Sequence, residues 1–329
     1  MRNSILGGTL KLCVGIALAV AAFPAAAEQW NIPTRANESN YFTQNITQFA
    51  EDVKAKTAGK LSIVVHPEDS LFKQPDVKRA VQTGQVQLGE ILMSLHSNEN
   101  PLFGIDSIPF LTPSLADSKR LLQLSQTKIA AALDKQGLKL LFTVPYPPNA
   151  FYLKDEIESV YDLKGVKFRA FNAATARLAE LMGATPVTVQ QAEVSQAFST
   201  GVIQAMITAA ATGVDTHAWE YVKHYYQVNA MTTWNIVFVN KGAFEKLDEP
   251  VKKALLDASA QAESRGWARA GEILEEMVAI LKKNGMVIHQ PNEQMRAEFA
   301  KIGATMSAEW VKSAGQEGQE ILDAFNAGR

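Results

Sequence analysis

Segments with strand periodicity and segments with helix periodicity alternate along this chain, and the order β-α-β-α-β occurs twice. The first half alternates over 28–34, 39–58, 60–67, about 75–83 and 86–94, and the second over 166–171, 173–183, 185–189, 191–200 and 202–209. This alternation is typical of a mainly parallel sheet covered by helices. The chain therefore predicts an α/β fold built from two similar units.

A proline-rich segment separates the two halves. The stretch "KLLFTVPYPPNAFYLKD", residues 139–155, begins as an apolar strand that Pro145, Pro147 and Pro148 then interrupt. Proline cannot donate to a strand ladder, so consecutive prolines do not lie in a central strand. We therefore expect the chain to pass here from one domain to the next.

Two later segments predict how the domains are joined. Residues 232–244 read as another strand, and a helical pattern then runs from Pro250 to about Lys283, with Gly266 as a point where it could bend. At 1.5 Å per residue this helix would be roughly 50 Å long, enough to span both domains. The predicted division is 28–147 plus about 235–275 for domain I, and 148–234 plus about 276–329 for domain II.

The first 27 residues predict a signal peptide. Arg2 gives a positive start, an apolar stretch runs from Cys13 to Phe23, and the alanines at 25–27 offer a cleavage site before Glu28. The apolar stretch is too short to span a membrane. We therefore expect cleavage near Ala27 and a periplasmic product that is not inserted in the membrane. Cys13 is the only cysteine, so the mature chain would have no disulfide.

Composition and motifs argue against several classes of function. The net charge of −2 leaves no basic excess for nucleic-acid binding. Motifs for a serine nucleophile, a P-loop or a dinucleotide are absent. The histidines show no short metal-ligand spacing, and we expect surface or packing roles for His66, His96, His217, His224 and His289. The sequence thus predicts a protein that is not an enzyme, with no catalytic residues, no metal and no cofactor.

An exported two-domain α/β protein without catalytic motifs favours a solute-binding protein. In open α/β sheets, ligands bind beyond the carboxyl ends of the strands and near helix N-termini. Two such domains that face each other form a cleft, which closes by hinge motion.

One longer stretch resembles a known family. "DLKGVKFRAFNAATARLAELMGATPVTV" (162–189), followed by "AEVSQAFSTGVIQA" (192–205), resembles the extracytoplasmic solute receptors of TRAP (tripartite ATP-independent periplasmic) transporters. "FAEDVKAKTAGKLSIVVHPEDSLF" (49–72) and "IPFL" (108–111) also resemble family segments. The resemblance implies a two-domain periplasmic-binding-protein fold with mixed sheets, hinge strands and a long domain-spanning helix. It also implies capture of a small organic acid and delivery to TRAP membrane permease subunits.

The resemblance assigns the last residue of the D-L-K-G-x-K-x-R run, Arg169, to the ligand carboxylate. A guanidinium presents a planar fork of donors that fits a carboxylate with two parallel hydrogen bonds. Arg169 precedes the predicted N-cap Asn172 by three residues, near the positive end of the following helix dipole. Composition alone favours a surface arginine on an exposed strand face, and the resemblance reverses that interpretation.

The chain departs from the family where many members carry a second arginine. That position falls near Asn149, and no arginine lies between Arg120 and Arg169. A dicarboxylate held by two arginines is therefore less favoured than a monocarboxylate contacted by Asn149 or Tyr146. The apolar, small-residue segment 203–213 predicts a pocket less polar than usual, which extends the expectation to a hydrophobic or aromatic monocarboxylate.

Five further residues are candidates for the cleft. Thr208 matches a polar position that contacts the ligand in relatives, and Gln191 matches a position that is aromatic in many of them. Trp234 either lines the cleft or packs in the core. Arg35 either supplies a replacement positive charge or lies at the surface. Glu90 is a weaker candidate, because a buried acid near an anion is costly unless it pairs with an arginine.

Two other functions stay open at this point. The same fold serves a ligand-sensing periplasmic protein that signals to a membrane partner. A secreted enzyme is less favoured, since only residues brought together by folding would supply its chemistry.

Overall fold

The structure is a computed structural model that describes residues 27–328. The predicted signal peptide precedes this range except for Ala27, so the prediction lies outside the described residues. Within residues 27–328, no helix combines the length and the apolar character needed to cross a bilayer.

The strands of the described residues form three hydrogen-bonded sheets, with the orders β1-β2, β3-β10-β4 and β11-β9-β5-β8-β6-β7. In chain order the strands are β1 (Glu28–Pro33), β2 (Leu61–His66), β3 (Leu88–Leu92), β4 (Leu138–Pro145), β5 (Asn149–Leu153), β6 (Lys167–Ala170), β7 (Thr185–Thr188), β8 (Ala205–Ala209), β9 (His224–Tyr226), β10 (Trp234–Asn240) and β11 (Val287–His289).

The sheets are mixed. The β-α-β rhythm gives parallel pairs, such as β1 with β2 and β6 with both β7 and β8. Strand β10 returns from the second half of the chain and runs antiparallel to both β3 and β4. The strand at 232–244 and the mixed sheets that the resemblance implies are confirmed. The rhythm alone does not give the direction of β10, because a single strand carries no sign of its direction.

The chain changes sheet at the proline-rich segment. Strand β4 ends at Pro145 in the three-stranded sheet, and β5 begins at Asn149 in the six-stranded sheet. The return crossing before β10 lies beside it, since the Tyr146 N–H donates to the Thr233 carbonyl at 2.8 Å. The Asn149 N–H likewise donates to the Met231 carbonyl at 2.8 Å. Two crossing segments therefore run side by side between the sheets.

The helices cover the sheets and are joined to them by short loops and 3₁₀ turns. In chain order they are α1 (Tyr41–Lys56), α2 (Gln74–Gln82), α3 (Leu115–Asp134), α4 (Ala173–Leu181), α5 (Val194–Ser199), α6 (Ala210–Asp215), α7 (Lys241–Lys246), α8 (Glu249–Lys283) and α9 (Glu293–Ala327).

The 35-residue helix α8 packs in the cores of both halves. Leu255 and Ala262 lie in a buried cluster with Phe49 and Phe142, beside the first strands. Leu281 lies in a different cluster, with Tyr225 of the six-stranded sheet. Burial of its apolar face at both ends therefore makes α8 a rigid tie between the two halves.

Helix α9 also crosses between the halves. Its first part buries Phe299 and Met306 under the six-stranded sheet, and its last turns bury Ile321 and Phe325 in the core around β3 and β10. The chain bends between these parts at Gly315, whose φ of 64° interrupts the helix. The predicted domain II includes these last turns of α9, although they pack in the core around β3 and β10. The domain boundaries therefore stay a proposal.

Two local predictions differ from the structure. The local pattern predicts two helices, at about 115–124 and 126–136, where the structure has the single helix α3. The aromatic run "YVKHYY" (221–226) predicts residues that pack a helix, but the segment contains the strand β9, which pairs with β5 and β11. The run of aromatic residues in this segment suits a buried strand, and pairing on both edges outweighs its helical spacing.

Candidate functional site

A small, nearly filled cavity lies where the crossing segments meet the ends of β6 and β8. Four of its residues come from the segments around β1, β3, β4 and β10, and the others from the six-stranded sheet and its loops. The lining residues are Arg35, Leu92, Tyr146, Asn149, Arg169, Phe171, Gln191, Thr208, Ala209, Thr212 and Thr233. A ligand held here would contact both halves of the molecule.

Arg169 is buried at the end of β6, with 2% of its surface exposed. Its Nε donates to the Val189 carbonyl at 2.9 Å, and its Nη1 donates to the Ile207 carbonyl at 3.4 Å. The guanidinium carbon lies 5.3 Å from the centre of the Phe171 ring. These contacts come from β8, the loop after β7 and the loop after β6, so the sheet itself fixes the direction of the guanidinium.

Within the described residues, Arg169 has no carboxylate partner among its hydrogen bonds and ion pairs. Burial, and then the positive charge of Arg35, lower the pKa of Arg169 to about 9. The guanidinium still carries its charge at neutral pH. A buried cation that contacts only carbonyl dipoles and one aromatic ring is poorly compensated for its lost water, and an anion restores that compensation.

Arg35 brings a second guanidinium to the same cavity from the loop after β1. Its guanidinium carbon lies 4.8 Å from the centre of the Tyr146 ring, and its buried Nε forms no hydrogen bond of good geometry with the described residues. The sequence offers Arg35 as a replacement positive charge, since no arginine lies between residues 120 and 169. The fold brings the Arg35 and Arg169 side chains to the lining of one cavity.

The charge of Arg35 is partly balanced by Glu90, on β3. The Glu90 carboxylate accepts hydrogen bonds from the Thr34 hydroxyl at 2.8 Å, from the Arg35 main-chain N–H at 3.3 Å and from the Asn235 amide. Burial raises the pKa of Glu90, and the charge of Arg35 opposes that shift. The charge of Arg35 is therefore opposed by the nearby carboxylate of Glu90, whereas Arg169 hydrogen-bonds only carbonyl oxygens among the described residues.

Tyr146 and Asn149 lie on the crossing segment that leaves β4. The Tyr146 ring stacks on Phe42 at a centroid distance of 5.5 Å, and its buried hydroxyl forms no hydrogen bond of good geometry with the described residues. Burial raises the pKa of Tyr146 to about 12, so the group remains a phenol that can donate. Asn149 donates through Nδ2 to the Met231 carbonyl at 3.3 Å, which leaves its amide oxygen as an acceptor.

The rest of the lining is neutral. No aspartate or glutamate is among the described residues that line the cavity. Further hydroxyl and amide groups come from Thr208, Thr212, Thr233 and Gln191, and apolar surface comes from Leu92, Phe171 and Ala209. The cavity therefore combines two guanidinium groups with uncharged donors and acceptors, a set that suits a small anion.

Polar contacts join the two sides around the cavity. Asn172 caps α4 by accepting a hydrogen bond from the Thr175 N–H at 2.8 Å. Its Nδ2 donates across to the hydroxyls of Ser94 at 2.8 Å and Ser107 at 3.1 Å. The sequence predicted the cap, and the structure confirms it. The structure adds that the same side chain fastens the two halves together beside the ligand site.

The family comparison decides what kind of protein this is. Residues 33–313 match the model of the family described as bacterial extracellular solute-binding protein, family 7. The chain belongs to this family. It is therefore a solute-binding receptor of the TRAP type and not an enzyme.

Three solved structures are similar to this receptor over nearly the whole described chain. DctP7 of Bordetella pertussis, an extracytoplasmic solute receptor binding pyroglutamic acid, is 48% identical with a TM-score of 0.90, covering 91% of this chain and 100% of its own. DctP6 of the same organism, also described as binding pyroglutamic acid, is 41% identical with the same TM-score and coverage. A marine metagenome TRAP protein specific for pyroglutamate is 40% identical with a TM-score of 0.90, covering 92% and 99%.

The structure brings six of the eight predicted ligand residues of this receptor to one cavity: Arg35, Tyr146, Asn149, Arg169, Gln191 and Thr208. Trp234, a candidate ligand residue for which the sequence left the cleft and the core open, lies in the core, and its indole N–H donates to the Ser118 hydroxyl at 2.8 Å. Glu90 lies behind Arg35 and does not line the cavity. Whether the six contact a ligand stays a proposal.

Sequence reasoning missed five residues of the lining: Leu92, Phe171, Ala209, Thr212 and Thr233. Phe171 could have been found, because residues i and i+2 of a strand share a face and Phe171 follows Arg169 by two. Ala209 and Thr212 lie next to the candidate Thr208 on β8 and α6. Thr233 carries no such signal, since its place depends on the pairing of the two crossing segments.

Proposed function

We propose that this receptor captures pyroglutamate, or a closely similar small cyclic monocarboxylate, and delivers it to a TRAP membrane permease in the periplasm. The observation that carries the proposal is the buried, uncompensated guanidinium of Arg169 at the cavity. The pyroglutamate-binding receptors at 40–48% identity support it.

The cavity offers groups that match each part of such a ligand. The carboxylate would pair with Arg169, whose fork suits two parallel hydrogen bonds. A lactam carbonyl would accept a hydrogen bond from the Tyr146 hydroxyl or from Nε of Arg35, neither of which forms a hydrogen bond of good geometry within residues 27–328. A lactam N–H would donate to an oxygen such as the amide oxygen of Asn149.

The lining also disfavours other carboxylates. An α-amino acid carries an ammonium group, and among residues 27–328 no acid lines the cavity to pair with it. A buried ammonium without an acidic partner is costly. The polar lining likewise argues against the hydrophobic or aromatic acid that the apolar segment 203–213 suggested, because polar groups of the cavity would stay unpaired.

Isothermal titration calorimetry against a matched set of acids tests this assignment. We expect tight one-to-one binding of pyroglutamate, and much weaker binding of glutamate and proline, which present an ammonium. We expect weak binding of benzoate, because the polar groups of the cavity would stay unpaired. Tight binding of glutamate, or no binding of pyroglutamate, would refute the assignment of the ligand.

Variants of Arg169 test whether its guanidinium binds the ligand carboxylate. Arg169→Ala should weaken pyroglutamate binding by about 2–5 kcal/mol, because a buried carboxylate loses its charged partner. Arg169→Lys should recover part of that loss, since it keeps the charge without the planar fork. Arg177→Ala is the matched control, because Arg177 is exposed and paired with Glu309 at the surface. Equal affinities for Arg169→Ala and the control would refute the pairing of Arg169 with the ligand carboxylate.

Delivery to a permease is tested in cells. Deleting the receptor should abolish uptake of labelled pyroglutamate, and the Arg169→Ala variant should fail to restore it. If binding is tight in calorimetry and uptake is unchanged in the deletion strain, the ligand assignment survives and the transport role does not.

A further inference from the structure

Two histidines that the sequence assigns to surface or packing roles face each other at the edge of the six-stranded sheet. His224 begins β9 and His289 ends β11, the outermost strand of this sheet. The two strands are parallel, with His224 opposite Val287 and His289 opposite Tyr226. This register places the imidazoles diagonally across the pair, outside the lining of the ligand cavity.

The imidazoles are close and well positioned. Nδ1 of His224 lies 2.9 Å from Nε2 of His289. The Tyr226 ring stacks on the His289 ring at a centroid distance of 4.5 Å and an interplanar angle of 11°. On its other side, Nδ1 of His289 lies 3.7 Å from Oε1 of Glu156, in the loop after β5. One side-chain donor atom from each of His224, His289 and Glu156 lies within 4.8 Å of the others.

We propose that His224 and His289 bind a first-row divalent metal ion such as Zn²⁺, with Glu156 orienting His289 and water completing the coordination. Imidazole nitrogens are favoured ligands of zinc, copper and nickel ions. A histidine bound to a metal usually donates its other ring N–H to a carboxylate, which fixes its tautomer. Nε2 of His289 faces His224 while its Nδ1 faces Glu156, which is the arrangement that such a site requires.

Little movement is needed to admit the ion. Zinc–nitrogen bonds are about 2.0–2.1 Å long, so two nitrogens on one ion must separate slightly from their present 2.9 Å. Both imidazoles are half-buried, and Glu156 is exposed, so the ion can enter from the surface. One of the two facing nitrogens carries the proton of their present hydrogen bond. That imidazole must change tautomer, with the proton moving to its other ring nitrogen through water, so that both facing nitrogens can bind the ion.

A metal here would fasten β11 to β9. Strand β11 follows α8 after a short turn, and α8 is the helix that packs in both cores. The ion would therefore stabilise the point at which the long helix rejoins the six-stranded sheet. It would not touch the ligand cavity.

Titration of the tag-free receptor with zinc chloride tests the proposal, with cobalt chloride as a spectroscopic probe. We expect one-to-one zinc binding, a visible Co²⁺ absorption band that zinc displaces, and a higher melting temperature with zinc. His224→Ala and His289→Ala should each lose these responses. Glu156→Gln should weaken zinc binding about 10- to 100-fold.

His217→Ala is the matched control, because His217 also lies near an acid, with Nδ1 3.6 Å from Glu220, but outside the cluster. It should bind zinc as the wild type does. Cooperative thermal melting of each variant checks folding, and His224→Gln and His289→Gln replace any alanine variant that fails this check. Zinc binding that survives both histidine substitutions, or that is absent from the wild type, would overturn the proposal.

Discussion

At the scale of single residues, the burial of the Asp69 carboxylate lowers the stability of the folded protein. Its surface is 9% exposed, and its Oδ1 has no hydrogen-bond partner among the described residues. Burial raises its pKa to about 6, although Arg35 and Lys73 oppose the shift. A carboxyl whose pKa is raised by folding stabilises the folded state less as the pH rises through that range.

Asp69→Asn should therefore stabilise the protein above pH 6 and have little effect near pH 4. The shift of about two pKa units corresponds to at most about 3 kcal/mol. Asparagine also tolerates the left-handed backbone at this position, where φ is 54°. Urea unfolding of both proteins at pH 4, 5, 6 and 7.5 measures the effect. A difference in the free energy of unfolding that does not grow between pH 4 and 6 would contradict the prediction.

At the scale of elements, α8 shows why a glycine lies inside a long helix. The sequence suggests that Gly266 allows a bend, but α8 is continuous, and the glycine lies against β4. A Cβ at this position would lie 2.5 Å from Cγ2 of Val144 and 3.0 Å from Nδ2 of Asn45. Close packing, and not flexibility, therefore requires glycine here.

Two glycine substitutions in α8 should consequently have opposite effects. Gly266→Ala should lower the free energy of unfolding by about 1–3 kcal/mol, because the added methyl overpacks the contact with Val144. Gly271→Ala should raise it by up to about 1 kcal/mol, since alanine favours helices and the nearest atom, on Leu115, is 3.6 Å away. Denaturant unfolding measures both, and a stable Gly266→Ala variant would contradict the packing argument.

At the scale of the whole molecule, a few polar contacts hold the two halves together over the cavity. Besides Asn172, the Asn40 side chain at the start of α1 donates to Oδ2 of Asp215, at the end of α6, at 2.6 Å. Asn40 also caps α1 through its side-chain oxygen. Single side chains from opposite halves thus form hydrogen bonds that hold the halves together.

Asp215→Ala should weaken ligand binding by about 1–3 kcal/mol, since a hydrogen bond to a charged group is lost. The loss should appear mainly as faster dissociation, which stopped-flow fluorescence can measure. Asp215→Asn is the control, because it removes the charge near Arg35 and keeps an oxygen that accepts from Asn40. Equal dissociation rates for the alanine variant and the wild type would show that the hydrogen bond between Asn40 and Asp215 does not slow ligand release.

The sequence by itself determined the alternating strands and helices, the change of sheet at Pro145–Pro148, and Arg169 with its neighbouring cap Asn172. These are local properties, set by side-chain periodicity, by the missing N–H of proline, and by a motif within one strand and the next helix. Only the tertiary structure decided that Arg35 joins Arg169, that Trp234 packs in the core, and that β10 returns antiparallel. Those outcomes depend on pairing between segments far apart in the chain, and the neighbours that decide each pairing leave no mark in the local sequence.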